Sequence, residues 1–399
     1  MGFQTGLSGL NSAAKQLDVI GSNVANTNTV GFKQSQVQFA DVYAGSVAGG
    51  GAKVAAAGQL FSQGNISTTG NVLDLAINGN GFFRMTNNGA ISYSRNGQCN
   101  FDKDGLIVNS AGMQLTGYRA DANGAIAPGA PMPLSISSME NPPSATTNVS
   151  LLLNLDSRAA VHPAVPAFDA NDSSTYDFTT AVGVFDSLGN AHTMQAYFVK
   201  SAANTWNVHA TSNDVTPTVS SLGQVTFDTN GNLTSPTPAS FAANYTVGTG
   251  AANLSFKLDL TGTRQYGSSF GVNKLGQDGY ASGRLAGFNV EADGKILARY
   301  TNGQNAILGQ VALANFGNPG GLAALGGNQW TETGESGAAV VGAPNTGGLG
   351  VLQSSAVEDS NVDMTAELVN MITAQRFYQA NAQTIKTQDQ VLQSLLNLR

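Results

Sequence analysis

Charge is scarce in this chain. Only 11% of its 399 residues are Asp, Glu, Lys or Arg, where an average soluble protein has about a quarter. The net charge is −7 and no Lys/Arg-rich run occurs, which argues against nucleic acid or an anionic membrane surface as partner. No apolar stretch reaches 18 residues, so no segment is expected to insert into a bilayer as a helix. A single cysteine, Cys99, excludes an internal disulfide framework. The first 30 residues have no basic leader, long apolar block or small-residue cleavage site. If the protein works outside the cell, it is expected to leave without a cleaved signal peptide.

Motifs for chemistry are missing as well. There is no HExxH, CxxC, GxxxxGK[ST] or GxSxG, and Gly248-Thr-Gly-Ala-Ala-Asn253 begins like a dinucleotide fingerprint but ends in Asn. His162, His192 and His209 are too scattered for a metal motif. Cys99 lies in strand-like sequence with no recognisable base partner. No cofactor, metal or catalytic constellation is expected, and the chain reads as a non-enzyme.

What the chain does have is glycine, 48 residues of it, above the usual share of about 7%. It also has two matched ends. Phe3, Leu7, Leu10, Ala14, Leu17, Gly21 and Val24 repeat in steps of four and three, and Ile20 widens the stripe. Near the other end, Met364, Leu368, Met371, Gln375, Tyr378, Ala382, Ile385, Asp389, Leu392 and Leu396 do the same, widened by Ile372 and Leu395. That spacing lines one face of a helix and is the pattern of a coiled-coil seam. Burying a large side chain contributes roughly 1.5–3 kcal/mol, while a lone helix of this length is marginal in water. The two ends are therefore expected to meet each other or those of neighbouring copies, and to be mobile until covered.

Between them the period changes to two. Leu73, Leu75 and Ile77 alternate with polar residues, as do Val149, Leu151, Leu153 and Leu155, and Leu254, Phe256, Leu258 and Leu260. These read as short strands. One phrase recurs: Asp102-Lys-Asp-Gly-Leu-Ile107, Asp121-Ala-Asn-Gly-Ala-Ile126, Asp228-Thr-Asn-Gly-Asn-Leu233 and Glu291-Ala-Asp-Gly-Lys-Ile296. Asx-Gly tolerates the positive φ of tight turns, so each phrase is a hairpin tip. A calcium loop would need Glu eleven residues after the first acid, where Met113, Met132, Ala239 and Asn302 stand.

The expected fold is mainly β with terminal α-helices paired in a coiled-coil-like layer, and with β-domains nested in one chain. Residues 1–32 and 360–399 form the helical layer, and 33–71 with 347–359 an extended connector. An inner β-domain takes 72–145 and 271–346, and 146–270 is inserted as an outer β-domain. The front helix is expected over about Gln4 to Asn26. The rear one starts near Asn361 or Asp363, either of which can cap it.

Asn23-Val-Ala-Asn-Thr-Asn-Thr-Val-Gly-Phe-Lys33 resembles the N-terminal signature of the bacterial flagellar rod and hook protein family, carried here by Asn26, Thr27, Thr29, Gly31, Phe32 and Lys33. Ser360-Asn-Val-Asp-Met-Thr-Ala-Glu-Leu-Val-Asn-Met-Ile372 is similar to its C-terminal signature. Ile77-Asn-Gly-Asn-Gly-Phe-Phe83, Tyr93-Ser-Arg-Asn-Gly97, Gln114-Leu-Thr-Gly-Tyr118 and Leu308-Gly-Gln-Val-Ala-Leu-Ala-Asn-Phe316 match internally. A second β-domain resembles the hook branch; distal rod members are shorter and lack it.

The resemblance implies a structural subunit, exported unfolded by the flagellar type III apparatus, that polymerises helically into a short curved tube and acts as a flexible joint. Implied partners are the chain itself and the distal rod, hook cap and hook–filament junction proteins. The interface between copies would use Leu7, Leu10, Leu17, Ile20, Val24, Leu368, Met371, Ile372, Tyr378, Ile385, Leu392 and Leu395. A secreted β-rich adhesin is the alternative from another class. Truncation of 1–30, or Ile385→Asp, is expected to leave the β body folded and abolish polymerisation. Electron microscopy after salt-induced association checks this, and persisting tubes count against it.

Overall fold

The computed structural model describes residues 2–41, 51–121, 124–127, 129–136, 140–162, 167–212, 215–216, 219–248 and 250–397. The architecture is mainly β with an α-helix at each end. Helix α1 spans Gly2–Ala25 and helix α2 spans Met364–Asn397. No proline interrupts either segment. Asp363 caps α2, its Oδ1 accepting from the backbone N–H groups of Thr365 and Ala366. Glu367 adds a negative charge in the first turn, where the helix dipole favours it.

The chain divides into two compact units, 1–138 with 287–299 and 305–399, and 139–286 with 300–304. In the first, the stretch expected to be an extended connector contains a hairpin. Strand β1 (Ser35–Asp41) pairs antiparallel with strand β2 (Ala52–Gln59), with a bulge at Gln38/Phe39. The Ala-rich β2 sequence gives no period-two alternation, so the pattern did not reveal it. Two further pairs stitch early sequence to late: Ile66–Thr68 on Ala356–Glu358, and Leu75–Asn78 on Val351–Ser354, both antiparallel. Phe61, Phe82, Tyr93, Phe316 and Trp330 pack edge to face in an aromatic core, with centroids 4.8–5.8 Å apart, a geometry aromatic quadrupoles favour.

In the second unit two sheets share one core. One runs Phe178–Phe185, Ala191–Ala202, Thr205–Thr211, Val219–Phe227, Leu233–Ser235, all antiparallel neighbours. The other is built on Asn148–Asp156. Val149, Leu151, Leu153 and Leu155 point inward at period two and meet Phe198, Trp206, Tyr245 and Phe256. This sheet departs from the expected succession of hairpins, because Asn148–Asp156 pairs parallel with both Leu254–Asp259 and Arg264–Tyr266. Gly271–Gln277, which composition placed at the return to the inner domain, hydrogen-bonds antiparallel to the same strand.

The hairpin tips have a consistent construction. Gly105, Gly231 and Gly294 take positive φ (74°, 78° and 82°) while the preceding Asp104, Asn230 and Asp293 do not, so these are three-residue turns with glycine in the left-handed position. At the first two of these tips the leading Asp also has a local task, whereas at the third Asp293 accepts from the Lys295 N–H. Asp102 Oδ1 accepts from the N–H of Asp104 and Leu106, and Asp228 Oδ1 from Asn230 and Asn232. The acid thus satisfies the turn's own donors.

A similar acceptor closes the second unit. Asp278 takes hydrogen bonds from the N–H groups of Thr147 and Asn148 and from both their side chains. Desolvation alone would raise its pKa, but these four donors together hold the carboxyl down at about 2, against an ordinary 3.8. The stabilisation is present above pH 3.8 and is lost as pH falls toward 2. Acid titration of unfolding should show less pH dependence in this window for Asp278→Asn than for the native chain; identical slopes would count against the assignment.

Candidate functional site

The two helices lie antiparallel, since Gly6 faces Ile385 while Ile20 and Asn23 share a cleft with Glu367 and Asn370. Their seam sets small residues of α1 against larger side chains of α2. A Cβ on Gly6 would sit 3.0 Å from Ile385 Cγ1, and one on Gly9 would sit 2.7 Å from Asn381 Oδ1. Ala13, Ile20 and Ala374 are buried along the same contact zone. The other side of α1 is held to the hairpin: Ser12 Oγ donates to Ala52 O, and Asn23 exchanges two bonds with the Ser35 backbone.

The large apolar residues of the sequence stripes are placed differently. Of those on α1, Ile20 is buried, Leu10, Leu17 and Val24 are half-buried and Leu7 is exposed. On α2, Met371 and Ile385 are half-buried, whereas Leu368 (45%), Ile372 (53%), Tyr378 and Leu392 are exposed. The backbone of Leu395 continues the helix, and its side chain lies outside the described residues. Val369 and Phe377 are exposed beside them. The four-three repeat gives the period correctly, but the packed stripe on α1 is Gly6, Gly9, Ala13 and Ile20, offset from the one drawn through Leu7, Leu10, Leu17 and Val24. Close approach of two backbones selects small residues, which a search for large apolar ones passes over.

The signature residues do two jobs after α1. Asn26 and Thr27 return hydrogen bonds to the last turn of the helix, through Asn26 Nδ2 to Ser22 O and Thr27 Oγ1 to Val24 O, and Thr29 Oγ1 donates to Asn26 Oδ1. Gly31 has φ +71° and passes so close to Arg95 and Asn96 that any Cβ would lie 2.5 Å from Asn96 N. Its N–H donates to Glu358 O. Phe32 is half-buried. Lys33 then enters the body.

Lys33, Arg95 and Glu358 form a buried triad, with side-chain exposures of 0, 3 and 0%. Lys33 Nζ lies 2.7 Å from Glu358 Oε1 and Arg95 Nη1 3.1 Å from Oε2. Lys33 also donates to Ser62 O, Arg95 Nη2 to Gly79 O, and Gly64 N–H to Glu358 Oε1. Burial pushes the ammonium of Lys33 below its ordinary value, and the Glu358 carboxylate opposes that shift. Next to the triad, Asn361 Oδ1 accepts from Gln34 N–H, and Gln34 Nε2 donates to Glu367 Oε1. Sequence reasoning found Lys33 through its signature and missed Arg95 and Glu358. A signal was available for Arg95, which is the one charge between Arg84 and Asp102 and lies in the Tyr93–Gly97 motif, but not for Glu358, which stands among Asp359, Asp363 and Glu367.

Among the described residues no group of three or more His, Cys, Asp or Glu side chains is placed to hold a metal ion. Cys99 is buried near Asp74, and desolvation followed by that charge pushes its thiol up to about 12, so it stays protonated. His162 and His192 pair with Asp177 and Asp186, and His209 stacks on Phe168.

Removing a buried partner costs about 3–5 kcal/mol. Glu358→Gln, which leaves two buried cations, should lower the stability of the first unit by that order. Lys33→Met should cost less, because Glu358 keeps Arg95. Urea unfolding followed by Trp330 fluorescence in a Trp206→Phe background checks this; equal or negligible losses would contradict the triad's role.

Comparison with known proteins places these features. Four family descriptions match in succession: "Flagella basal body rod protein" over residues 3–33, "Flagellar hook protein FlgE/F/G D1 domain" over 76–150, "Flagellar basal body protein FlaE D2 domain" over 154–280 and "Flagellar basal body rod FlgEFG protein C-terminal" over 353–398. The flagellar hook protein FlgE of Escherichia coli K12 is 44% identical over 406 residues, with all of both chains covered. That of Borreliella burgdorferi is 32% identical over 443 residues, covering 99% of this chain and 98% of the relative. The crystal structure of Helicobacter pylori FlgE2 is similar in fold, with a TM-score of 0.56 at 14% identity over 73% of this chain and all of that one. With full-length identity at this level, the chain belongs to the bacterial flagellar hook protein family.

Proposed function

We propose that this chain is the structural subunit of a flagellar hook, polymerising helically through its terminal helices into a short curved tube. The observation that carries this reading is the two-sidedness of the helix pair. Small residues close the seam within one molecule, and Leu368, Ile372, Phe377 and Leu392 remain exposed on α2. Leaving several large apolar side chains in water forfeits roughly 1.5–3 kcal/mol each, which contact with further copies recovers. A contact that must keep adding copies is heterologous, since a closed two-fold dimer cannot grow.

On this reading Leu7, Leu10, Leu17, Val24, Leu368, Ile372, Tyr378, Leu392 and Leu395 belong to the interface between copies, while Ile20, Met371 and Ile385 serve chiefly the pair within one copy. The role is structural rather than enzymatic. The domain organisation follows the same logic: helices innermost in the tube, the hairpin and first β-rich unit around them, and the inserted unit facing solvent with contacts that slide as the tube bends. A surface poor in charge supports such sliding, because separating desolvated ion pairs costs several kcal/mol. The tube stands outside the cell between rod and filament. Its neighbours are the distal rod, hook cap and hook–filament junction proteins, and it reaches them through the type III export apparatus.

Leu368→Asp and Ile372→Asp should leave monomer stability within about 0.5 kcal/mol of the native value, as exposed positions do, and abolish salt-induced tubes. Replacing 145–279 by a short Gly/Ser linker should preserve assembly and give stiffer, straighter tubes. The join is geometrically natural, because Ser144 and Tyr280 exchange both backbone hydrogen bonds. Electron microscopy reads both results. Native-like tubes from the Asp variants, or none from the linker variant, would refute the assignment of roles.

A further inference from the structure

The first turn of α2 carries a second buried acid, separate from the triad. Glu367 is 3% exposed. Its Oε1 is occupied by Gln34, and its Oε2 is buried without a hydrogen-bond partner. It lines a cleft of about 220 Å³ whose other walls include Gln16, Ile20 and Asn23 of α1, Gln36 of β1 and Asn370. None of the lining side chains is basic. Gln36 and Asn370 are exposed, so the cleft opens at the surface. A buried acceptor left without a donor is costly, more so when it is charged. A carboxylate in a cleft walled by amide and apolar side chains, with an exposed rim, is complementary to a cation with several N–H donors and an apolar face.

We infer that this cleft receives the guanidinium of Arg376 from a second copy of the chain, an assignment that rests on the polymer reading above. Arg376 is exposed on α2 and makes no ion pair among the described residues. It is the next residue on the i, i+4 ridge that runs through Met364, Leu368 and Ile372, all exposed. Docking that apolar ridge on a neighbouring copy carries Arg376 into the same contact. The other cations of the helices fit less well: Lys15 lies beside Asp18, and Lys386 falls off the ridge. A guanidinium also suits the site better than an ammonium, because it is less strongly hydrated and presents a planar fork of donors. The ridge then supplies adhesion and the ion pair fixes the register in which one copy sits on the next.

The test uses the purified full-length chain, salt-induced polymerisation and the critical concentration measured by sedimentation. Arg376→Gln should raise the critical concentration about tenfold, as should Glu367→Gln, which retains an acceptor for Gln34. The double variant should be no worse than either single one, because the two substitutions remove the same contact. Monomer unfolding curves that match the native chain for Arg376→Gln separate this effect from misfolding. A native critical concentration for Arg376→Gln, the result expected if water alone fills the cleft, overturns the inference while leaving the polymer reading intact. Full additivity of the two substitutions overturns it as well. Failure of the native chain itself to form tubes overturns the polymer reading, and the assignment with it.

Discussion

One carboxylate holds the first unit of this molecule together. Glu358 is reached by Lys33 from the end of the N-terminal signature and by Arg95 from the β body, with backbone groups at Ser62, Gly64 and Gly79 completing the shell. Two cations and an anion removed from water impose a desolvation cost of several kcal/mol per ion. The cost is offset only if the geometry is close and the remaining donors are met, and here nearly all are, Arg95 Nε excepted. Apolar residues of similar volume would fill this space with less penalty. What they lack is direction. The triad's directed hydrogen bonds tie residues 33, 95 and 358 together close to where both helices leave the body.

From that anchor the rest follows outward. Gly31 must be glycine because the chain turns at positive φ against Asn96, and the turn brings α1 back toward α2. Gln34, Asn361 and Glu367 extend the polar contact into the first turn of α2. The helices then run along each other on small residues. Their bulkier side chains are left over, and the protein does not mask them with charge, since α2 carries few ionic groups along its length. A monomer with this surface is an incomplete object, and the family to which it belongs explains what completes it.

How much of this was legible in the sequence depended on whether the governing interaction was local. Helix position and type were clear, because a repeat of four and three is a property of consecutive residues; which stripe faces which partner was not, because Gly6 and Gly9 matter only once Ile385 and Asn381 lie opposite. The Asx-Gly turns were equally clear, although the reason for their leading acid, which binds the turn's own N–H groups, needed coordinates. The hairpin of Ala52–Gln59 was missed because alanine carries no alternation. The triad was missed for the plainest reason: Lys33 and Glu358 are 325 residues apart, and no spacing rule spans such a separation.

That separation has a temporal meaning. Strand pairs and ion contacts join the beginning of the chain to Ala356–Glu358, so the earliest part cannot acquire its native surroundings until nearly the last part has arrived. Contacts this distant in sequence carry the largest loop-closure penalty and form late. In a chain made from its N-terminus, Lys33 stays hydrated and the front helix lacks its companion until the last forty or so residues have been added. The first unit therefore closes only when the last segment is in place.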